Sequence, residues 1–297
     1  MTESKRSRLA AKVRNKEFFI APGVYDMVSA RIADRVGFDA LYMSGYCTVA
    51  SYLGLADAGL ASYRDMVLRA GQIAADTTTP LIADADTGYG GLLNVRQTIQ
   101  GYETAGVAGL HIEDQVDPKK CGHTPGKEVV DTEDMVRKIR VAVDARTDPD
   151  FLIIARTDSR QQHGLDEACR RAEAFANAGA DMLFVEALDG EKEMEIVGKR
   201  FDVPLLINIT ERGMTPSLPP ERLKEMGYTL AIYPGTAFAA VAVTMQTVYD
   251  TLKRDGSALA LEVPVLDEDS MHDLVGFPDV WEFEKKWAPS RNAKQAK

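Results

Sequence analysis

The sequence predicts a (β/α)8 barrel, and three observations point to it. Eight short apolar runs recur along the 297 residues, about once every 25 to 35 positions, with segments of helical period between them. The runs are nearly continuously apolar, as strands buried on both faces of a parallel sheet must be. Polar residues follow nearly every run at its C-terminal end, where such a barrel gathers its catalytic groups on one rim.

In order, the strands are residues 18–21, 40–43, 81–83, 109–112, 152–155, 182–185, 205–207 and 230–233. Helical periodicity marks 63–75, 94–105, 132–146 and 165–178, and Gly106, Gly179 and Gly227 fall where helices stop. An open doubly wound sheet shares the rhythm, but no GxGxxG follows the first strand. Residues 1–255 therefore read as one catalytic barrel and 256–297 as a helical tail for oligomerisation. In that tail Trp281, Glu284 and Lys285 lie at helical spacing, and Phe283 and Trp287 are four apart. Two tryptophans there are costly to leave in water and suggest docking on another subunit.

Composition narrows the function. A net charge of −10 with no basic stripe argues against a nucleic-acid partner. Cys47, Cys121 and Cys169 show no CxxC spacing, which fits free thiols in a reducing cytosol. No apolar run approaches the roughly 18 residues of a membrane span, and no signal-peptide core is visible. The expectation is a cytoplasmic protein without a membrane partner.

The rim residues carry the chemistry. Ser44 follows the second strand, Asp84 and Asp86 the third, Glu113 and Asp114 the fourth. Arg156 and Asp158 follow the fifth, Glu186 the sixth, Asn208 and Thr210 the seventh. Asp84 and Asp86, at i and i+2, share a face if the strand continues through them. With Asp57 and Glu113 they make four acids that repel unless protons or a cation intervene. Oxygen-only donors point to Mg2+ or Mn2+. Any one of these acids alone reads equally well as a helix cap or a surface charge; four on one rim do not.

The string Lys119-Lys120-Cys121-Gly122-His123 lies in a Pro- and Gly-rich loop suited to be a lid. Two lysines and a histidine beside Cys121 favour its thiolate and a lowered pKa, although a solvated basic loop with an incidental cysteine has the same composition. Arg156 and Arg212 can clamp a carboxylate, with Asn208 and Thr210 on its other oxygens. His111 reads as a satisfied core histidine, Cys169 as core, and His163 and His272 carry no pattern.

These strings resemble the isocitrate lyase / phosphoenolpyruvate mutase superfamily over roughly residues 15 to 255. The matches are Tyr42-Met43-Ser44-Gly45, Leu53-Gly54-Leu55-Ala56-Asp57, Asp84-Ala85-Asp86-Thr87-Gly88-Tyr89-Gly90, Glu113-Asp114-Gln115, Lys119-Lys120-Cys121-Gly122-His123, Ala155-Arg156-Thr157-Asp158 and Asn208-Ile209-Thr210-Glu211. The resemblance implies a barrel whose C-terminal helix swaps between subunits, in a homotetramer built as a dimer of dimers. It implies Mg2+ (or Mn2+) near Asp84, Asp86 and Glu113, partly through waters, with Asp57 beside it. Ser44, Gly45, Tyr46, Asp57, Gly122, Arg156, Asn208 and Thr210 would line the substrate pocket. Cys121 would be the general acid, with Tyr42, Lys119, His123 and Glu186 as further catalytic residues.

Cys121 favours the lyase branch. Tyr46 after Ser-Gly, and Pro125-Gly126-Lys127 in the lid, look more like dimethylmalate and methylmalate lyases than methylisocitrate lyases. The expected activity is cleavage of a small 2-hydroxy dicarboxylate into a 2-oxo acid, such as pyruvate, and a carboxylic acid. The alternatives are methylisocitrate lyase, oxaloacetate hydrolase or decarboxylase, and carboxyphosphonoenolpyruvate phosphonomutase. A non-catalytic binding subunit is disfavoured by the intact Asp84, Asp86, Glu113 and Cys121.

Overall fold

Strands form where the apolar runs lie, because each run is buried on both faces and a parallel sheet wrapped by helices covers both. The computed structural model describes residues 4–210 and 213–288. It begins α1 (Lys5–Arg14), β1 (Phe19–Val24), α2 (Met27–Val36), β2 (Leu41–Met43) and the short α3 (Gly45–Thr48), which runs into a π-helical turn, Val49–Leu53. Next come α4 (Tyr63–Asp76), β3 (Leu81–Asp84), α5 (Leu92–Thr104), β4 (Gly109–Glu113), α6 (Thr132–Ala145) and β5 (Leu152–Thr157). Then follow α7 (Arg160–Asn177), β6 (Met182–Val185), α8 (Glu191–Gly198), β7 (Leu205–Asn208), α9 (Pro220–Met226) and β8 (Leu230–Tyr233). The last elements are α10 (Thr236–Asp255), α11 (Glu268–Val275) and α12 (Phe277–Trp287).

The eight strands pair in sequence order, all parallel, and close when β8 meets β1, with Phe19 opposite Leu230 and Pro22 opposite Tyr233. Helices are built by local signals as well as packing. Ser62 and Asp65 cap α4 reciprocally, side chain to backbone. That helix then buries Met66, Ala70, Ile73 and Ala74, one stripe at helical spacing. Positive-φ Gly37 and Gly227 end α2 and α9, as only a residue without Cβ does cheaply.

Two apolar layers result. One lies between the helix ring and the outer strand faces and includes Met43, Ile99, Ile139, Phe151 and Phe175. The other fills the barrel, with Phe19, Tyr42, Ile82, Ile154, Phe184 and Ile232, and is joined by Leu9, Ala10 and Val13 of α1. Helix α1 thus contributes a plug to the barrel interior, although its polar sequence gives little sign of it. Phe175→Ala is expected to cost about 3–5 kcal/mol, the transfer and cavity terms of a buried aromatic. A urea midpoint unchanged from wild type would contradict that packing.

The chain divides into two compact units, Met1–Ala240 and Val241–Lys297; the boundary expected at 255/256 is the end of α10. Within the second unit α11 and α12 pack together, and His272, Phe277 and Trp281 make ring contacts. Trp281, Phe283 and Trp287 remain half or more exposed. No helix among the described residues is long and apolar enough to cross a membrane.

Candidate active site

A polar column rises through the barrel toward the strand ends. The Tyr42 hydroxyl and His111 Nε2 are 2.7 Å apart, and their rings stack. Phe184 meets His111 edge-on, and the Arg156 guanidinium lies 4.9 Å from the Phe184 ring centre. Burial lowers the pKa of His111 to about 4, so its imidazole is neutral. Burial, reinforced by the Asp84 charge, raises Tyr42 well above the usual phenol value. The expectation for His111 is therefore corrected: it is buried, but it is a partner of the site and its Nδ1 is unsatisfied. A lone histidine inside an otherwise apolar run was the available signal.

The acids cluster as expected, by a different local route. Strand β3 stops at Asp84, whose Oδ1 accepts the backbone N–H of Asp86 at 2.9 Å, while Asp86 turns to φ +48°. This side-chain turn replaces the continued strand assumed from the i, i+2 spacing. Gly45 makes room for the pair, since a Cβ there would lie 2.3 Å from Asp84 Oδ2. Ser44 caps α3, its Oγ accepting the Cys47 N–H. Burial, with Asp84 and Asp57 nearby, raises Asp86 to about 7. Burial raises Glu113 well above the carboxylate range, although Arg156 opposes the shift.

Lys119 is the counter-ion. Its ammonium lies 2.5 Å from Asp57 and 2.7 Å from Asp86, almost wholly out of water. These acids raise its pKa further than burial lowers it.

The lid follows β4. Its stems pair at an antiparallel bridge between Gln115 and Val129, and the Gln115 side chain grips the backbone of Lys120 on both sides. Cys121 at the tip is partly buried, and the expected pKa is corrected. Burial pushes the thiol up, and the His123 backbone N–H and Arg156, which pull it down, do not win. The basic neighbours are committed elsewhere: Lys119 to two acids, Lys120 Nζ to the Gly126 carbonyl at 2.5 Å. His123 Nε2 reaches Asn208 Nδ2 at 3.3 Å and Thr210 Oγ1 at 3.4 Å, with Glu186 Oε1 at 3.6 Å. Gly122 packs where a Cβ would stand 2.3 Å from Arg156 Nη2 and 3.0 Å from Glu186 Cγ.

Arg156 forks onto Asp158, with Nε at 2.8 Å and Nη2 at 3.0 Å, and lies 3.2 Å from Glu113 and 3.4 Å from Glu186. Asp114 accepts from the Asp158 N–H, the Thr157 hydroxyl and Arg171, so it braces the rim. Tyr46 is half exposed on α3, and Arg212 and Glu211 lie outside the described residues. His111 Nδ1, Glu113 Oε1, His123 Nδ1 and Asn208 Oδ1 are buried without a hydrogen-bond partner. Such orphans on one rim suit a polar ligand.

The donor set fits a hard divalent cation. Asp84, Asp86 and Glu113 offer only carboxylate oxygens, two of them pushed toward protonation by burial and crowding, and Glu113 keeps a free oxygen. Among the described residues no three ligating side chains close on one point. Magnesium, which keeps several waters, needs no such cage.

Comparison with known proteins shows the same pattern of kinship along the barrel. The sequence pattern of the phosphoenolpyruvate phosphomutase family matches residues 9–253. The chain is 42% identical to 2,3-dimethylmalate lyase of Eubacterium barkeri over 286 residues, 95% of this chain and 99% of that one. It is 39% identical to 2-methylisocitrate lyase of Aeropyrum pernix, over 95% of this chain and 90% of the relative. The solved structure of a phosphonopyruvate hydrolase complex with oxalate and Mg2+ superposes with TM-score 0.88 at 27% identity, covering 97% of this chain and all of that one.

Proposed function

The chain belongs to the phosphoenolpyruvate mutase/isocitrate lyase superfamily, and from that premise we propose that it is a carbon–carbon lyase acting on a 2,3-dimethylmalate-like 2-hydroxy dicarboxylate, which it splits into pyruvate and a carboxylic acid. The observation that carries this reading is the Cys121 lid seated against Arg156 and Glu186, beside a buried acid cluster. Phosphoryl transfer needs no carbon acid; cleavage that leaves a carbanion equivalent does.

Asp84, Asp86 and Glu113 would hold Mg2+ or Mn2+, which supplies Lewis acidity at the 2-oxygen and its adjacent carboxylate. Ser44 and Gly45 border that end of the substrate. Tyr42 would take the 2-hydroxyl proton as its own phenol proton passes to the neutral His111 Nε2, 2.7 Å away. The C2–C3 bond breaks, and its electron pair spreads into the departing carboxylate as an enediolate. Arg156, Asn208 and Thr210 meet that charge. Cys121 then delivers its proton to the former C3, and a thiol that burial keeps protonated is suited to the task. Gly122 and His123 close over the pocket and exclude water.

A dicarboxylate fits better than a tricarboxylate. Lys119 and Lys127 are already paired with acids and Arg156 is taken up by the departing carboxylate, which leaves none of the three for a third carboxylate. The test is an NMR panel of 2-methylmalate, 2,3-dimethylmalate, 2-methylisocitrate, isocitrate and oxaloacetate. Turnover confined to oxaloacetate, or to the tricarboxylates, would overturn the substrate class.

The same reading makes the protein a cytosolic homotetramer, a dimer of dimers whose C-terminal helix swaps between subunits. The exposed rings of α12 support it, as do three free thiols. Truncation after Leu266 should lower the sedimenting mass; an assembly of unchanged size would refute the tail's role.

A further inference from the structure

Lys127 is a buried cation that the mechanism above leaves without a task. Only 1% of its side chain is exposed, although it sits in a lid rich in proline and glycine. A lysine so deeply buried is costly unless it is paired and hydrogen-bonded. Its ammonium donates to the Gly122 carbonyl and lies 3.0 Å from Asp158 Oδ1. That same Asp158 oxygen accepts from Arg156 Nη2 at 3.0 Å, and its other oxygen accepts from Arg156 Nε at 2.8 Å. One carboxylate thus carries both the lid's lysine and the pocket's arginine.

The ring closes through Gly122, the residue Lys127 holds, which packs directly against Arg156 Nη2. The frame beneath it is fixed. Asp114 accepts the Asp158 N–H at 2.8 Å through its side chain, and the Val130 N–H at 2.8 Å through its carbonyl. Lid stem and rim are therefore tied to the same two aspartates.

We propose that Lys127 is a positioning residue: it latches the lid over the pocket so that Cys121 and His123 face the substrate, and Asp158 couples that latch to the alignment of Arg156. The kinetic part of this inference rests on the lyase reading; the conformational part does not. Lys127→Met keeps the stem and removes the charge and the donor. Lys127→Gln keeps a donor alone, and Lys127→Arg keeps the charge.

The experiment is carbamidomethylation of the full-length protein with iodoacetamide at fixed pH, followed thiol by thiol by peptide mass. Cys47 and Cys169, each 1% exposed, are internal controls for global loosening. Cys121 should react about tenfold faster or more in Lys127→Met, the effect on a local opening equilibrium of losing hydrogen bonds to a charged group. Cys47 and Cys169 should keep their rates, Lys127→Gln should fall between, and Lys127→Arg should lie nearest wild type. With the dicarboxylate, kcat of Lys127→Met should drop about tenfold or more with KM within roughly threefold, the split of a misplaced proton donor.

A Cys121 rate within about twofold of wild type overturns the latch. So does equal acceleration of all three thiols in both Lys127→Met and Lys127→Gln, which marks a merely structural lysine. A wild-type enzyme that turns over no 2-hydroxy dicarboxylate refutes the substrate reading, while the labelling pattern still decides the latch.

Discussion

Cys121→Ser is expected to lower kcat by about 10² to 10⁴, the usual worth of a positioned proton donor, with KM and metal affinity nearly intact. The substitution changes little in shape or charge, because burial already keeps the thiol protonated. It changes acidity greatly, since a serine hydroxyl is too weak an acid to deliver a proton at the committed step. Steady-state kinetics with purified variant and wild type decide it. A variant within about threefold of wild type would remove Cys121 from the proton transfer. A phosphonate mutase protonates no substrate carbon, so the variant separates cleavage from phosphoryl transfer; an oxaloacetate hydrolase also releases a carbon that must be protonated, and the substrate panel separates that reaction.

Metal removal should have a still larger effect. Exhaustive EDTA treatment is expected to abolish turnover, and added Mg2+ to restore it. Asp84→Ala is expected to be inactive and not rescued by Mg2+, because the remaining acids cannot replace a carboxylate at the end of β3. Full activity after chelation would contradict the account. Asp86 and Glu113 should also bind the cation against protons. Burial raises both, Asp86 to about 7. Apparent Mg2+ affinity should therefore weaken as pH falls below about 7, where protons compete for these carboxylates. Isothermal titration with Mg2+ at several pH values checks this without a substrate.

The barrel was legible because its physics is local and repetitive. Residues 152–155 are apolar on both faces, and 109–112 nearly so, a pattern that needs a covered parallel strand. Strand-end polar groups announced the rim, and most of the expected site residues do meet there. What could not be read depends on partners far away in sequence. Lys119 looks solvated beside Lys120, yet it is buried between Asp57 and Asp86. Cys121 looks activated by basic neighbours, but folding turns those neighbours to other partners, and burial reverses the sign of its shift. Lys127 reads as a loop residue until Asp158, in another βα loop, is brought against it. His111 reads as core because its pairing with Tyr42 reaches across the intervening strand β3. Local sequence carries propensity and period; it does not carry which charge meets which.

The central claim is that the enzyme breaks a C2–C3 bond and that Cys121 protonates the carbon released. Its most direct test is NMR of the products formed from 2,3-dimethylmalate in D2O with Mg2+. The account predicts pyruvate and propionate in equal amounts, the propionate carrying one deuterium at C2 in a single configuration, and the Cys121→Ser enzyme producing almost none of either. Racemic or absent label in the propionate, or no cleavage of any 2-hydroxy dicarboxylate in the panel, would contradict it.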